Sequence, residues 1–224
     1  MKNLTLYHST SDYFLPSIKE CGLGAKQKIF SWGILDFFKG IYPLCENYLL
    51  ENNVYQRLRF TTTGMINQTV NDLFCFKHDR LYFSFKESTA IRYALSQYGS
   101  EILSRSIQLF KLLNENGYGK QIDKSMLKID LNDIINFPHK KLLLKVNNID
   151  PNILETEKGG CAIDKLKEMA LQKKQDPSVF DVLSQQYNFA TKETIDFKNI
   201  DVYEIKKLKT NGMEVKCELI KHID

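Results

Sequence analysis

The chain has 224 residues, 43% of them hydrophobic and 26% charged, a balance that excludes a disordered chain and allows one domain with a sizeable core. Its 31 Lys and Arg against 27 Asp and Glu leave a formal net charge of +4, too mild to argue alone for a nucleic-acid or membrane-surface protein. No run approaches the roughly 18 apolar residues of a membrane span, and MKNLTLYHST lacks a signal peptide's apolar core. These features lead us to expect a cytoplasmic protein, or one delivered into a target cell by a route the sequence does not encode, with no membrane partner.

Leu4 to His8 (LTLYH) alternates as a first strand, and Ser9 to Asp12 offer caps at its end. Phe14, Leu15 and Ile18 predict a short helix closed by Cys21-Gly22-Leu23-Gly24. Residues 25–80 show no clean alternation. Ile29, Trp32, Ile34, Leu35, Phe37 and Phe38 form one apolar patch, and Tyr48 to Leu58 a second helical face, with Thr61-Thr62-Thr63-Gly64 expected to break it. This block reads as a mainly helical insertion within a single domain spanning 1–224.

The stretch LYFSFKESTAIRYALSQYG changes period midway. Leu81, Phe83 and Phe85 alternate with Tyr82 and Ser84, which predicts a strand. Ala90, Ile91, Ala94 and Leu95 then follow helical spacing, with Ser88 or Thr89 as cap and Gly99 as stop. Ile102 to Leu113 predicts an amphipathic helix, Lys141 to Val146 a strand and Ala162 to Gln172 a helix. Tyr187 to Thr191, Val202 to Leu208 and Val215 to Lys221 read as late strands, which makes the whole α+β.

Five cysteines, at 21, 45, 75, 161 and 217, are scattered and odd in number, with no CxxC pair and no histidine at ligand spacing. They read as buried thiols in a reducing compartment, and no metal is expected. Walker A, GxGxxG, HExxH and GxSxG motifs are absent. Of four histidines only His8 ends a confident strand and precedes small hydroxyl residues. A histidine there presents its ring to a cleft, while Ser9 and Thr10 add polar groups beside it. Tyr82 on its strand and Tyr93 on the following helix would make a two-sided slot suited to a flat ring.

Taken in order, Tyr7-His8-Ser9-Thr10, Gly22-Leu23, Leu81-Tyr82-Phe83-Ser84, Ala90 and Tyr93-Ala94 resemble the ADP-ribosyltransferases of the His-Tyr-Glu class. The resemblance implies a split mixed or antiparallel sheet that holds NAD⁺ as substrate. It implies that His8 bonds the nicotinamide-side ribose, Ser9 clamps the carboxamide through its backbone, and Thr10 contacts the ribose or amide. Tyr82 and Tyr93 would stack on the nicotinamide, and Ser84 would face the amide. The family's glutamate position falls on Asn188 or Phe189, neither of them acidic. Glu193, an even step along the strand from Phe189, is the first carboxylate expected to serve instead, with Gln186, Glu155 and Glu157 as further choices. The implied activity is mono-ADP-ribosyl transfer from NAD⁺ to a macromolecular target, a protein before a nucleic acid. The alternatives are an NAD glycohydrolase and an inactive NAD- or ADP-ribose-binding module. Lys26, Lys28, Arg57, Arg59, Lys77 and Arg80 are the residues that permit a nucleic-acid target.

Overall fold

The computed structural model describes residues 4–24, 31–70, 75–78, 80–95, 98–211 and 214–222. Lys26, Lys28 and Ile29 of the sequence reading lie outside them. The chain folds as two compact units. The first takes Met1–Ala25, Asp79–Gly99 and His139–Asp224, and the second Lys26–His78 and Ser100–Pro138.

The first unit is built on a seven-stranded sheet of strand order β4-β5-β2-β1-β3-β6-β7. The strands are β1 (Leu4–Ser11), β2 (Leu81–Ser84), β3 (Lys141–Ile149), β4 (Glu155–Thr156), β5 (Asn188–Thr191), β6 (Ile200–Asn211) and β7 (Glu214–Lys221). Every pairing between them is antiparallel. Leu142, Leu143 and Leu144 are fully buried in sequence, so β3 is covered on both faces. One face packs Leu6, Leu81, Phe83, Leu142, Leu144, Phe189 and Val202 against helices α1 (Leu15–Cys21), α7 (Ala162–Gln175) and α8 (Pro177–Leu183) through Ile18, Leu166, Met169 and Phe180. Burying each of the phenylalanines contributes about 2–3 kcal/mol. The other face packs Leu143, Ile205 and Tyr7 against Ala90 and Ile91 of α4 (Glu87–Tyr93) and Ala94 at its C-terminal cap.

The second unit is helical: α2 (Ile34–Tyr48), α3 (Asn53–Ile66), α5 (Glu101–Glu115) and α6 (Leu131–Asn136). Residues 100–138, read from the sequence as part of the main domain, join 26–78 here. The reason is complementary apolar faces: Phe37, Phe38 and Ile41 of α2 and Leu103, Ile107 and Phe110 of α5 are buried, and the Phe37 and Phe110 rings lie 6.2 Å apart.

Four local expectations are corrected. Thr61 to Gly64 does not break its helix, because α3 runs through to Ile66. Thr62 is buried and its hydroxyl accepts from Arg105, and a Cβ on Gly64 would lie 2.6 Å from Phe76 Cε2, so small residues there serve close packing. Ser88 and Thr89 do not cap α4. Its N-cap is Lys86 without a side-chain bond, and Thr89 instead donates to the Gln185 carbonyl at 2.9 Å. Gly99 does not stop that helix, which ends at Tyr93. The cysteines are free, but only Cys45 is buried and Cys161 is exposed, since the latter precedes α7 at a surface turn.

Candidate functional site

The strands that carry His8 and Tyr82 are neighbours, yet a single residue pair, Tyr7 opposite Ser84, joins them. Past that pair β1 stays laddered to β3 as far as Ser11–Lys141, and β2 stays laddered to β5 along its whole length. The sheet therefore opens along a seam beside His8, Ser9 and Thr10. The Tyr82 carbonyl, on the seam side of β2, meets His8 Nδ1 at 2.8 Å. A carbonyl only accepts, so Nδ1 carries the proton and Nε2 presents a lone pair. Burial pushes the His8 pKa below its ordinary value, and the bond to Tyr82 opposes this only in part. The imidazole is therefore neutral at pH 7.

Register assigns the other side chains. Tyr7 and Ser84 stand opposite each other, so Tyr82 and Ser84 share the face that α4 covers, and His8 shares the face of Leu6. The His8 ring accordingly meets the Phe83 ring edge-on at 6.2 Å, and its contact to Tyr82 is through backbone. Ser9 Oγ donates to the Ala90 carbonyl of α4. Thr10 is buried and its hydroxyl donates to the Gly99 carbonyl at 3.4 Å. Gly99 closes the far end of the seam. Its φ is +71° and a Cβ on it would lie 2.9 Å from Ser11 Cβ, so only glycine fits. Tyr93 sits at the end of α4, which packs on β1, and is 44% exposed.

The carboxylate side of the site differs from the expectation in its details. β5 ends at Thr191, two residues before Glu193, so strand parity does not carry that side chain onto the face of Phe189. Glu193 is exposed, and its backbone N–H donates to Thr191 Oγ1 at 3.0 Å. Glu155 is ion-paired with Arg80. Glu157 reaches Asn188: Asn188 Nδ2 donates to Glu157 Oε2 at 3.1 Å, and Ser84 Oγ donates to Asn188 Oδ1 at 3.0 Å. Because a carboxylate only accepts, the amide nitrogen of Asn188 must face Glu157, and the relay Ser84–Asn188–Glu157 runs in one direction across three strand positions. Tyr7 extends the same row. Burial, and then Glu87 and Tyr203, push its phenol above the ordinary value, so it stays protonated. The relay rests on the turn at Gly159, where Gly159 N–H bonds the Thr156 carbonyl at 2.8 Å and φ is +91°. The legible trace of it in the sequence is Glu-Thr-Glu ahead of Gly-Gly.

A second histidine contact was not foreseen. Ser11 Oγ lies 2.6 Å from His139 Nδ1, with the Tyr98 and Tyr13 rings at 5.1 and 5.8 Å from the imidazole. Ser11 is 1% exposed and its hydroxyl also caps the turn at Tyr13, so the pair fixes the end of β1 and does not offer a nucleophile. Among the described residues no three or more His, Cys, Asp or Glu are grouped to hold a metal ion, and no helix is long and apolar enough to cross a membrane.

No family model matches the chain, and neither a search of curated proteins nor one of solved structures finds a match. The class that the coordinates define is thus architectural: an α+β fold on an antiparallel sheet with a seam between its third and fourth strands.

Proposed function

We propose that the first unit cleaves NAD⁺ at the nicotinamide–ribose bond and transfers ADP-ribose to a macromolecular target. The observation that carries this reading is the seam. The two strands bearing the His and Tyr motifs are adjacent, share one ladder pair, and are bridged by His8 Nδ1–H on the Tyr82 carbonyl. A neutral His8 with its Nε2 lone pair free to accept suits a ribose hydroxyl. The Ser9 backbone would take the carboxamide and Thr10 would line the same wall, whereas Tyr82 and Ser84, on the sheet face opposite the His8 ring, would meet the nicotinamide only through the opened seam, beside Tyr93.

In this reading the C–N bond breaks with its electron pair passing to the pyridinium nitrogen, and nicotinamide leaves neutral. The ribose bears the developing positive charge, and a nucleophile on the target attacks the anomeric carbon and loses its proton. Holding ring and sugar in line supplies orientation, and a carboxylate stabilises the cation. We assign the carboxylate to Glu157, which reaches the Asn188 position, with Glu193 as the alternative.

Purified protein incubated with NAD⁺ tests the reading by nicotinamide release and by mass shifts on candidate protein and nucleic-acid acceptors. Release with a shift supports transfer, and release without one supports a glycohydrolase. Glu157→Gln lowers release at least about tenfold if the assignment holds, whereas a loss confined to Glu193→Gln moves the role to Glu193. Absence of release, with NAD⁺ bound, reduces the site to a binding module.

A further inference from the structure

The helical unit contains a cleft of about 530 Å³ lined by Tyr42, Gln56, Arg59, Phe60, Thr63, Gly64, Thr69 and Phe76. That volume suits one heterocyclic ring with its sugar. Its apolar walls are the Phe60 and Phe76 rings, set nearly perpendicular at 77° with centroids 6.3 Å apart. Phe60 is 63% exposed although it lies mid-helix, and Gly64 lets the Phe76 ring lie directly on α3. Phe60 is thus an exposed ring on the wall of the cleft, a surface on which a flat ligand can stack.

The polar edge of the cleft is fixed in advance. Arg59 Nε and Nη2 hold Glu46 at 3.0 and 2.7 Å, and the Tyr55 hydroxyl holds the same carboxylate from the other side. Those bonds leave Nη1 of a clamped, planar guanidinium to meet an acceptor. The Arg59–Glu46 pair is neutral as a whole, so the cleft itself selects a flat group with carbonyl or ring-nitrogen acceptors and not a phosphate. The flanking positions differ. Arg57 and Lys77 are exposed and form no ion pair among the described residues, one just before the cleft on α3 and the other directly after Phe76.

We propose that this cleft seats a base of a single-stranded nucleic acid, with Arg57 and Lys77 on the adjoining phosphates. An exposed aromatic beside unpaired cations is the arrangement that such strands bind, the ring taking a base and the cations the backbone. The inference stands on the helical unit alone and does not depend on NAD⁺ cleavage.

The test is fluorescence anisotropy of the full chain with labelled oligothymidylate and oligouridylate of about 12 nucleotides, across a salt series. Phe60→Ala is expected to weaken binding about tenfold, and Arg57→Gln with Lys77→Gln to flatten the slope of log K against log salt by about 1.4. Lys192→Gln, an exposed charge in the other unit, is expected to leave both unchanged. Failure of the unaltered protein to bind at low salt overturns the proposal. So does Phe60→Ala binding as tightly as the parent, or Lys192→Gln flattening the slope as much as the paired variant. Nicotinamide release measured without oligonucleotide reports on the sheet site separately, so the two readings fail independently.

Discussion

Replacing Asn188 by Asp sets a second carboxylate against Glu157. In the native protein Asn188 Nδ2 lies 3.1 Å from Glu157 Oε2, so Asn188→Asp exchanges a donor for an anion at that separation. Two unit charges so close repel by about 5 kcal/mol at an effective dielectric constant of about 20. Both side chains are only part-buried, and screening by solvent reduces this to about 2–3 kcal/mol. The cost depends on pH with a definite sign. Repulsion raises the upper ionisation of the folded pair above the unfolded carboxylate value of about 4. Below that value one acid keeps its proton and donates to the other, as the amide did, and the variant matches the parent. As pH rises through the raised ionisation the folded pair must lose its proton, and stability falls. Urea melts at about pH 3.5 and pH 8 measure this. The midpoint of Asn188→Asp is expected within about 0.2 M of the parent at the lower pH and about 1 M below it at the higher. Equal losses at both pH values would refute the relay from Ser84 to Glu157.

Other expectations follow from the same coordinates. Tyr82→Ala abolishes nicotinamide release while far-UV circular dichroism stays that of the parent; normal turnover in this variant sinks the site assignment. Gly99→Ala costs about 2–4 kcal/mol, because the position has φ +71° and the new Cβ meets the backbone of Ser11, and thermal melts of the pair measure it. The lowered His8 pKa means that the unfolded chain binds this proton more readily than the folded one, so stability is full above the unfolded value near 6.5 and falls as pH drops toward the folded one. His8→Gln removes that portion of the acid dependence, and urea midpoints followed from pH 7.5 to 5 show it as a flatter profile.

Period and parity made much of the fold legible in the sequence. LTLYH and KLLLKV lie in strands, LYFSF does as far as Ser84, and the Ile102 to Leu113 stripe lies in α5. Those signals are local, because alternation and helical spacing record which face meets a core. What misled was local chemistry whose meaning is set at a distance. Thr-Thr-Thr-Gly looked like a breaker, but the helix keeps Thr62 for Arg105 and Gly64 for Phe76. Ser88 and Thr89 looked like caps, but Thr89 is committed to Gln185, 96 residues on. The carboxylate was hardest to place for a related reason. Glu157 and Asn188 meet only because β4 and β5 pair across 31 residues of chain, and no periodicity within either stretch announces that. His8 and Tyr82 were legible as neighbours, whereas the bond that joins them uses the Tyr82 backbone and so leaves no side-chain signature.

The position of β1 has a consequence for how the molecule is made. This strand is the first described element, yet it lies in the middle of the sheet, and its long ladder is with Lys141–Ile149. During synthesis at about 5–20 residues per second, Leu4 to Ser11 leaves the ribosome seconds to tens of seconds before the strand that will cover its edge. Its other neighbour, β2, offers only the Tyr7–Ser84 pair in the interval. The nascent chain therefore carries a strand with two unsatisfied edges, the condition under which strands associate between molecules. The helical unit needs only residues 26–138, so its parts are present before β3 is. Folding of the sheet is thus ordered by translation, with β3 closing last on a strand made about 130 residues earlier.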